Sequence, residues 1–167
     1  MELAITVIGP DRPGIVADVA EALAAKRSNL TDSTMTRLRG HFAMTLICTT
    51  PASIAEVEAA LDGLDDLIVT VREVLPDELA PVAGGSYLLS VHGADRLGIV
   101  AAVARAVARA GGNITDLSTR LTGALYVLLA EVDLAHDVVG SLQAELGTLA
   151  EELQVEISLR SIEADLL

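Results

Sequence analysis

The chain is poor in aromatic rings, cysteine and positive charge. Phe, Tyr and Trp supply 2% of its 167 residues, and Trp is absent. Nucleic-acid binding by stacking bases on exposed rings is therefore disfavoured. Lys and Arg number 11 against 24 Asp and Glu, a formal charge of -13. Such a surface repels phosphates, and its basic clusters, Lys26-Arg27 and Arg37/Arg39, are small. No direct contact with nucleic acid is expected. The single cysteine, Cys48, cannot form an intrachain disulfide, which fits a reducing compartment. His41, His92 and His136 are scattered, and no Cys/His spacing resembles a zinc site. Neither a metal nor a cofactor is expected.

Long apolar runs are missing too. The mean hydropathy of +0.51 raises the question of a membrane. Yet the stretch from Leu97 to Ala110 is interrupted by Arg105 and Arg109, and a spanning helix needs about 18 or more apolar residues. The opening MELAITVIGPD lacks the basic region of a secretory leader. A cytoplasmic chain with no membrane segment is expected. With 51% hydrophobic residues and only 13 Gly and 5 Pro, there is ample material for a packed core.

An internal repeat organises that material. Laid over Val91 to Asp116 at a constant offset of 84, Val7 to Asp32 is identical at 15 of 26 positions. The match resumes after a one-residue deletion, Thr36-Arg37-Leu38-x-Gly40 against Thr119-Arg120-Leu121-x-Gly123. The chain reads as two copies of one unit, 1–76 and 86–167, joined by a Pro- and Gly-punctuated linker at 77–85.

Each copy predicts the same elements. Leu3, Ile5 and Val7, matched by Leu89 and Val91, alternate as in a strand. A loop with Asp-Arg-Pro-Gly or Asp-Arg-Leu-Gly follows, Pro13 suiting a first helical turn. Ile15, Val16, Val19, Ala20 and Leu23 then recur at helical spacing, as do Ile99, Val100, Val103, Ala104 and Val107. Leu30 to Leu38 and Phe42 to Thr49 read as a hairpin, as do Ile114 to Leu121 and Leu125 to Val132. A second helix carries Ile54, Val57, Leu61 and Leu64, or Val138, Leu142, Leu146 and Leu149. Leu67 to Val74 and Leu153 to Leu159 close the units as strands. The order β-α-β-β-α-β, twice, predicts an α+β protein with two tandem ferredoxin-like units. Each would be an antiparallel four-stranded sheet with both helices on one face. One sheet face or edge stays uncovered, so pairing of units and a homodimer are expected.

The segments most alike are the first loop, Gly9 to Gly14 and Gly93 to Gly98, and the start of the second strand, Asn29 to Asp32 and Asn113 to Asp116. Both are expected at the same end of the sheet. Structural roles are available for each: Gly14 and Gly98 for a tight turn, Asp11 and Asp95 as helix caps, Asn29 and Asn113 as helix closers. A functional role is available as well. Free amides at a helix N-terminus suit a carboxylate, while Asp11 or Asp95 with Asn29 or Asn113 can satisfy an ammonium group. Together they predict an amino-acid cradle without a catalytic group. His92 stands where copy one has Ile8, as a structural residue or as a source of asymmetry between the sites. Cys48 reads as a buried inert thiol, Asp65-Asp66 as surface charge in a turn, and His136-Asp137 as a helix start. The Gly9-x-x-x-x-Gly14 spacing lacks the Lys-Ser/Thr of a phosphate loop.

Asp-Arg-Pro-Gly-Ile-Val at the first turn, with Asn-Leu-Thr-Asp some way downstream, resembles the ACT domain. These are small β-α-β-β-α-β regulatory modules that bind amino acids or other effectors. Two such units in one chain are similar to the glycine cleavage system transcriptional repressor family. The resemblance implies an effector held between paired domains by the first loop and the start of strand 2. The matching positions are Asp11, Gly14, Ile15, Asn29 and Leu30, and Asp95, Gly98, Ile99, Asn113 and Ile114. Leu97 replaces the proline expected before the second glycine. The implied protein is a non-enzymatic regulator that senses a small amino acid such as glycine. Its partner would be a regulatory protein such as a transcription activator. A second reading is a trans-acting regulatory subunit of an amino-acid or folate-metabolising enzyme.

Overall fold

The computed structural model describes residues 1–64, 66–74 and 84–162. The chain divides into two compact units, Met1–Leu79 and Ala80–Leu167. Most of the expected linker at 77–85, and Asp65 of the acidic pair, lie outside the described residues.

The first unit is built on β1 (Glu2–Pro10), α1 (Ile15–Ala25), β2 (Asn29–Leu38), β3 (His41–Thr49), α2 (Ile54–Leu61) and β4 (Ile68–Glu73). Its sheet runs β2-β3-β1-β4 with every neighbouring pair antiparallel. Alternation decides which face is covered. Leu3, Ile5 and Val7 of β1 and Phe42, Met44, Leu46 and Cys48 of β3 point to one side and are buried. Ile15, Val19 and Leu23 of α1 and Val57 and Leu61 of α2 complete that core. The opposite face of the sheet is open. Burial pushes the Cys48 thiol up from its ordinary range, in keeping with an inert side chain.

The second unit repeats the plan with β5 (Gly85–Ala94), α3 (Ile99–Arg109), β6 (Asn113–Thr122), β7 (Leu125–Leu134), α4 (Val139–Leu153) and β8 (Val155–Ser161). The order is β6-β7-β5-β8. Leu89, Val91, Val103, Val107, Leu128, Leu142 and Leu146 are among its buried residues. Gly85 already belongs to β5. Leu153 ends α4 instead of opening the last strand, because Gln154 turns left-handed at φ 52 and breaks the helix there. Pro13 precedes α1, which starts at Ile15. Asp137 lies in a 3₁₀ turn, His136–Val138, with no side-chain cap; His136 Nδ1 instead meets the Tyr87 hydroxyl at 2.9 Å.

Helix α2 is fixed at its start by a reciprocal cap. Glu56 Oε2 accepts from the Ser53 N–H at 2.8 Å and from the Ser53 hydroxyl at 2.7 Å. Ser53 Oγ accepts in turn from the Glu56 N–H at 3.4 Å. The bonds from the Ser53 backbone and side chain hold the Glu56 carboxyl below its ordinary range. A lowered carboxyl stabilises the fold above the unfolded value and loses that contribution as pH falls through the folded one. Ser53→Ala is expected to cost about 1 kcal/mol at neutral pH. The gap from wild type should narrow as urea midpoints are taken below the ordinary glutamate range.

Candidate functional site

The loop after β1 is held by its own charges. The Asp11 N–H donates to the Gly40 carbonyl at 2.8 Å, tying the loop to the β2–β3 turn. Asp11 Oδ2 accepts from Arg37 of β2 at 3.3 Å, and Arg12 pairs with Asp18 of α1 at 2.7 Å. Gly14 is the N-cap of α1 at φ 92, and no side chain caps the helix. Left-handed backbone at that point favours glycine. It leaves the first-turn amides without intrahelical partners, with the helix dipole adding partial positive charge. The cap role considered for Asp11 is thus not realised: its carboxylate goes to Arg37.

The second loop repeats the backbone and changes the charges. Gly98 caps α3 at φ 90, again without a side-chain cap. Ala102 stands where unit one has Asp18, and Arg96 bonds Gln154 beyond α4 instead. Asp95 has no ion-pair partner among the described residues. Leu97 is fully exposed, at 101%. His92 lies on the open sheet face and pairs across strands with Glu156 at 2.7 Å, a surface contact of structural kind.

The expectation that the loop and the start of the second strand share one end of the sheet is overturned. Asn29 pairs with Thr49, which is opposite Glu2, while Pro10 is opposite His41. Asn29 and Leu30 therefore stand where β1 begins, and Asp11, Gly14 and Ile15 follow where it ends. Asn113 pairs with Asp133 beside Ser86, again the far end from Asp95, Gly98 and Ile99. Helix α1, with the loop before it and the turn after it, returns the chain to the end of the sheet where β1 begins before β2 starts. Within one unit the aspartate and asparagine do not form one cradle. Nor does either asparagine close a helix: the left-handed residues there are Arg27 and Gly111.

Side-chain directions narrow the site further. Ile15 and Ile99 are core residues at 2% exposure, so each offers a ligand only its backbone. Leu30 and Ile114 are half-buried and pack on their cores. A repeated feature that sequence reasoning missed sits beside them. Each second strand carries a bulge between Leu30 and Asp32, or Ile114 and Asp116. The Thr31 and Thr115 hydroxyls donate across it to the Ile47 and Glu131 carbonyls at 3.3 and 3.4 Å. The repeated Asn-x-Thr-Asp was its visible signal. The arrangement offers carboxylates, guanidinium groups and free amides, the chemistry of binding. Among the described residues no three His, Cys, Asp or Glu side chains converge as metal ligands, and no helix is long and apolar enough to cross a membrane.

The ACT domain sequence pattern matches residues 2–72 and again 86–160. The chain belongs to the ACT domain family. ACT domains are small-molecule-binding regulatory modules, and here two of them stand in tandem. A UPF0237 protein of Methanopyrus kandleri is 40% identical over 71 residues, 42% of this chain and 74% of that protein. Among solved structures, an unknown protein from Galdieria sulphuraria shares 28% identity at a TM-score of 0.85, covering 96% of this chain and 98% of that one. A candidate glycine cleavage system transcriptional repressor has the same fold, with a TM-score of 0.73, 24% identity and 96% coverage of both chains.

Proposed function

We propose that this tandem ACT protein is a regulator without chemistry of its own, which binds a small amino acid and relays its occupancy to a partner protein. The observation that carries this reading is the twice-repeated loop. Each places a glycine in left-handed backbone three residues after an aspartate and leaves a helix N-terminus without a side-chain cap. The free amides after Gly14 and Gly98, including those of Ile15 and Ile99, would take the effector's carboxylate. Asp11 and Asp95 would face its ammonium group. Asn29, Leu30, Asn113 and Ile114 lie at the other end of each sheet. They take no part in a cradle at the loop of their own unit.

The resemblance of the paired units to the glycine cleavage system repressor family makes glycine the first effector to test and a transcription activator the first partner. A net charge of -13 favours control through a protein over contact with DNA. A thermal-melt panel of amino acids tests the effector. Binding to the native form alone adds about 2.7 kcal/mol at a hundredfold excess over Kd, a midpoint rise on the order of 10 °C for a unit this size. Asp11→Asn and Asp95→Asn should each reduce the shift while leaving the unliganded midpoint within a few degrees. A panel in which no amino acid moves the midpoint overturns the sensing role. Co-purification with a metabolic enzyme instead of a transcription factor overturns the assigned partner.

A further inference from the structure

The open face of the first sheet is organised in rows. Thr34, Thr45, Thr6 and Thr70 stand side by side across all four strands. On one side of them lie Thr36, Ala43, Ile8 and Ile68, and on the other Asp32, Ile47, Ala4 and Arg72. The centre is thus short hydroxyl-bearing and apolar side chains, with Ile8 exposed at 45% and Ile68 at 72%. Across these three rows the charges are one carboxylate and one guanidinium, at opposite edges of the same row. Neither Asp32 nor Arg72 has an ion-pair partner among the described residues.

That pattern is complementary to itself. A two-fold axis parallel to the strands, midway between two stacked copies, lays each row on its own reverse. Asp32 of one copy then faces Arg72 of the other, twice. Thr34 faces Thr70, Thr45 faces Thr6, Thr36 faces Ile68, and Ala43 faces Ile8. Stacked sheets cross at about 30°, which offsets the edge strands by a few ångström, within the reach of an arginine side chain. An axis across the strands would instead set the charged row against Thr36 and Ile68. We propose that this face is the interface of a homodimer with that geometry.

Charge selects the occupant. The whole chain carries -13, so two copies repel each other over most approaches, whereas the charges in these rows cancel. The corresponding face of the second unit is less suited. Its equivalent row also ends in Asp116 and Arg160, but it adds Glu131 on the inner strand β7, opposite Leu88, where stacking would bury a third charge without a partner. The footprint is small. Four strands about 4.8 Å apart, of nine, ten, nine and six residues, give a face on the order of 500 Å² per copy. That is the low end for a specific interface, the size class of weak and transient associations.

Sedimentation velocity of the full chain over a concentration series, without effector, tests this independently of the sensing role. Wild type should pass from monomer to dimer. Asp32→Arg and Arg72→Asp alone each set like charges face to face and should raise the dissociation constant about tenfold or more. The double variant D32R/R72D should restore it to near wild type. Thr45→Arg, at the centre, should leave only monomer. All three positions are exposed, and circular dichroism checks the fold. A wild type that stays monomeric, or a double variant no better than the singles, overturns the proposal.

Discussion

Replacing Phe42 by alanine is expected to unfold the first unit at temperatures where the second remains intact. Phe42 is the one phenylalanine in the chain, buried to 1% on β3 and among the largest fully buried side chains. It packs with Leu3, Ile5, Val7, Val19 and Leu61 in a core separate from that of the second unit. A Phe→Ala change in such a core costs about 3–5 kcal/mol. For a domain of this size each kcal/mol moves the midpoint by about 4–8 °C, so the fall is on the order of 20 °C. Both tyrosines, Tyr87 and Tyr126, lie in the second unit, and their near-ultraviolet signal follows that unit alone. The expected result is an early far-ultraviolet transition with the tyrosine transition unmoved. Equal displacement of both would show that the two cores do not melt separately.

Gly9→Val is expected to be nearly as damaging, by the opposite mechanism. Gly9 is a buried position of β1 facing the chain as it enters β4. A Cβ there would lie 2.5 Å from Leu67 Cδ2 and 2.6 Å from the Asp66 carbonyl oxygen. The leucine can rotate, but the carbonyl is backbone, and Asp66 is already left-handed at φ 67. The entry to β4 must therefore move away from β1. Overpacking of this kind costs about 3 kcal/mol, the upper part of its usual range. The displacement begins two residues before Asp11, so any effector-induced melt shift at the first loop should shrink as well. Gly93→Ala in the second unit meets Val155 at 2.9 to 3.1 Å, contacts largely with a side chain, and should cost less. Urea midpoints of the two variants check the order; a Gly93 variant that falls further than Gly9→Val would contradict it.

Most of the fold was legible because burial writes itself into spacing. Leu3, Ile5 and Val7 alternate, and Ile15, Val19 and Leu23 recur each turn, since one face of each element must leave water. Internal repetition then checked each element against its twin. Boundaries were less legible. Leu153 satisfies both a strand alternation with Val155 and a helical step from Leu149, and the left-handed turn at Gln154 decides between them. The site was the least legible part. Asp11 and Asn29 lie close in sequence, and similarity between copies drew them into one cradle. The intervening helix α1, with the loop before it and the turn after it, carries the chain from one end of the sheet to the other. Arg37, the actual partner of Asp11, lies eight residues beyond Asn29, nearer the loop because β2 runs back toward it.

The substitution of Ala102 for Asp18 gives the two loops separate anchorage. In the first, Arg12 is fastened to the helix that the loop introduces. In the second, the equivalent guanidinium is fastened to the residue after α4. A mutation at the far end of α4 can therefore shift one loop and leave its twin untouched. The two loops can thus diverge independently within one polypeptide.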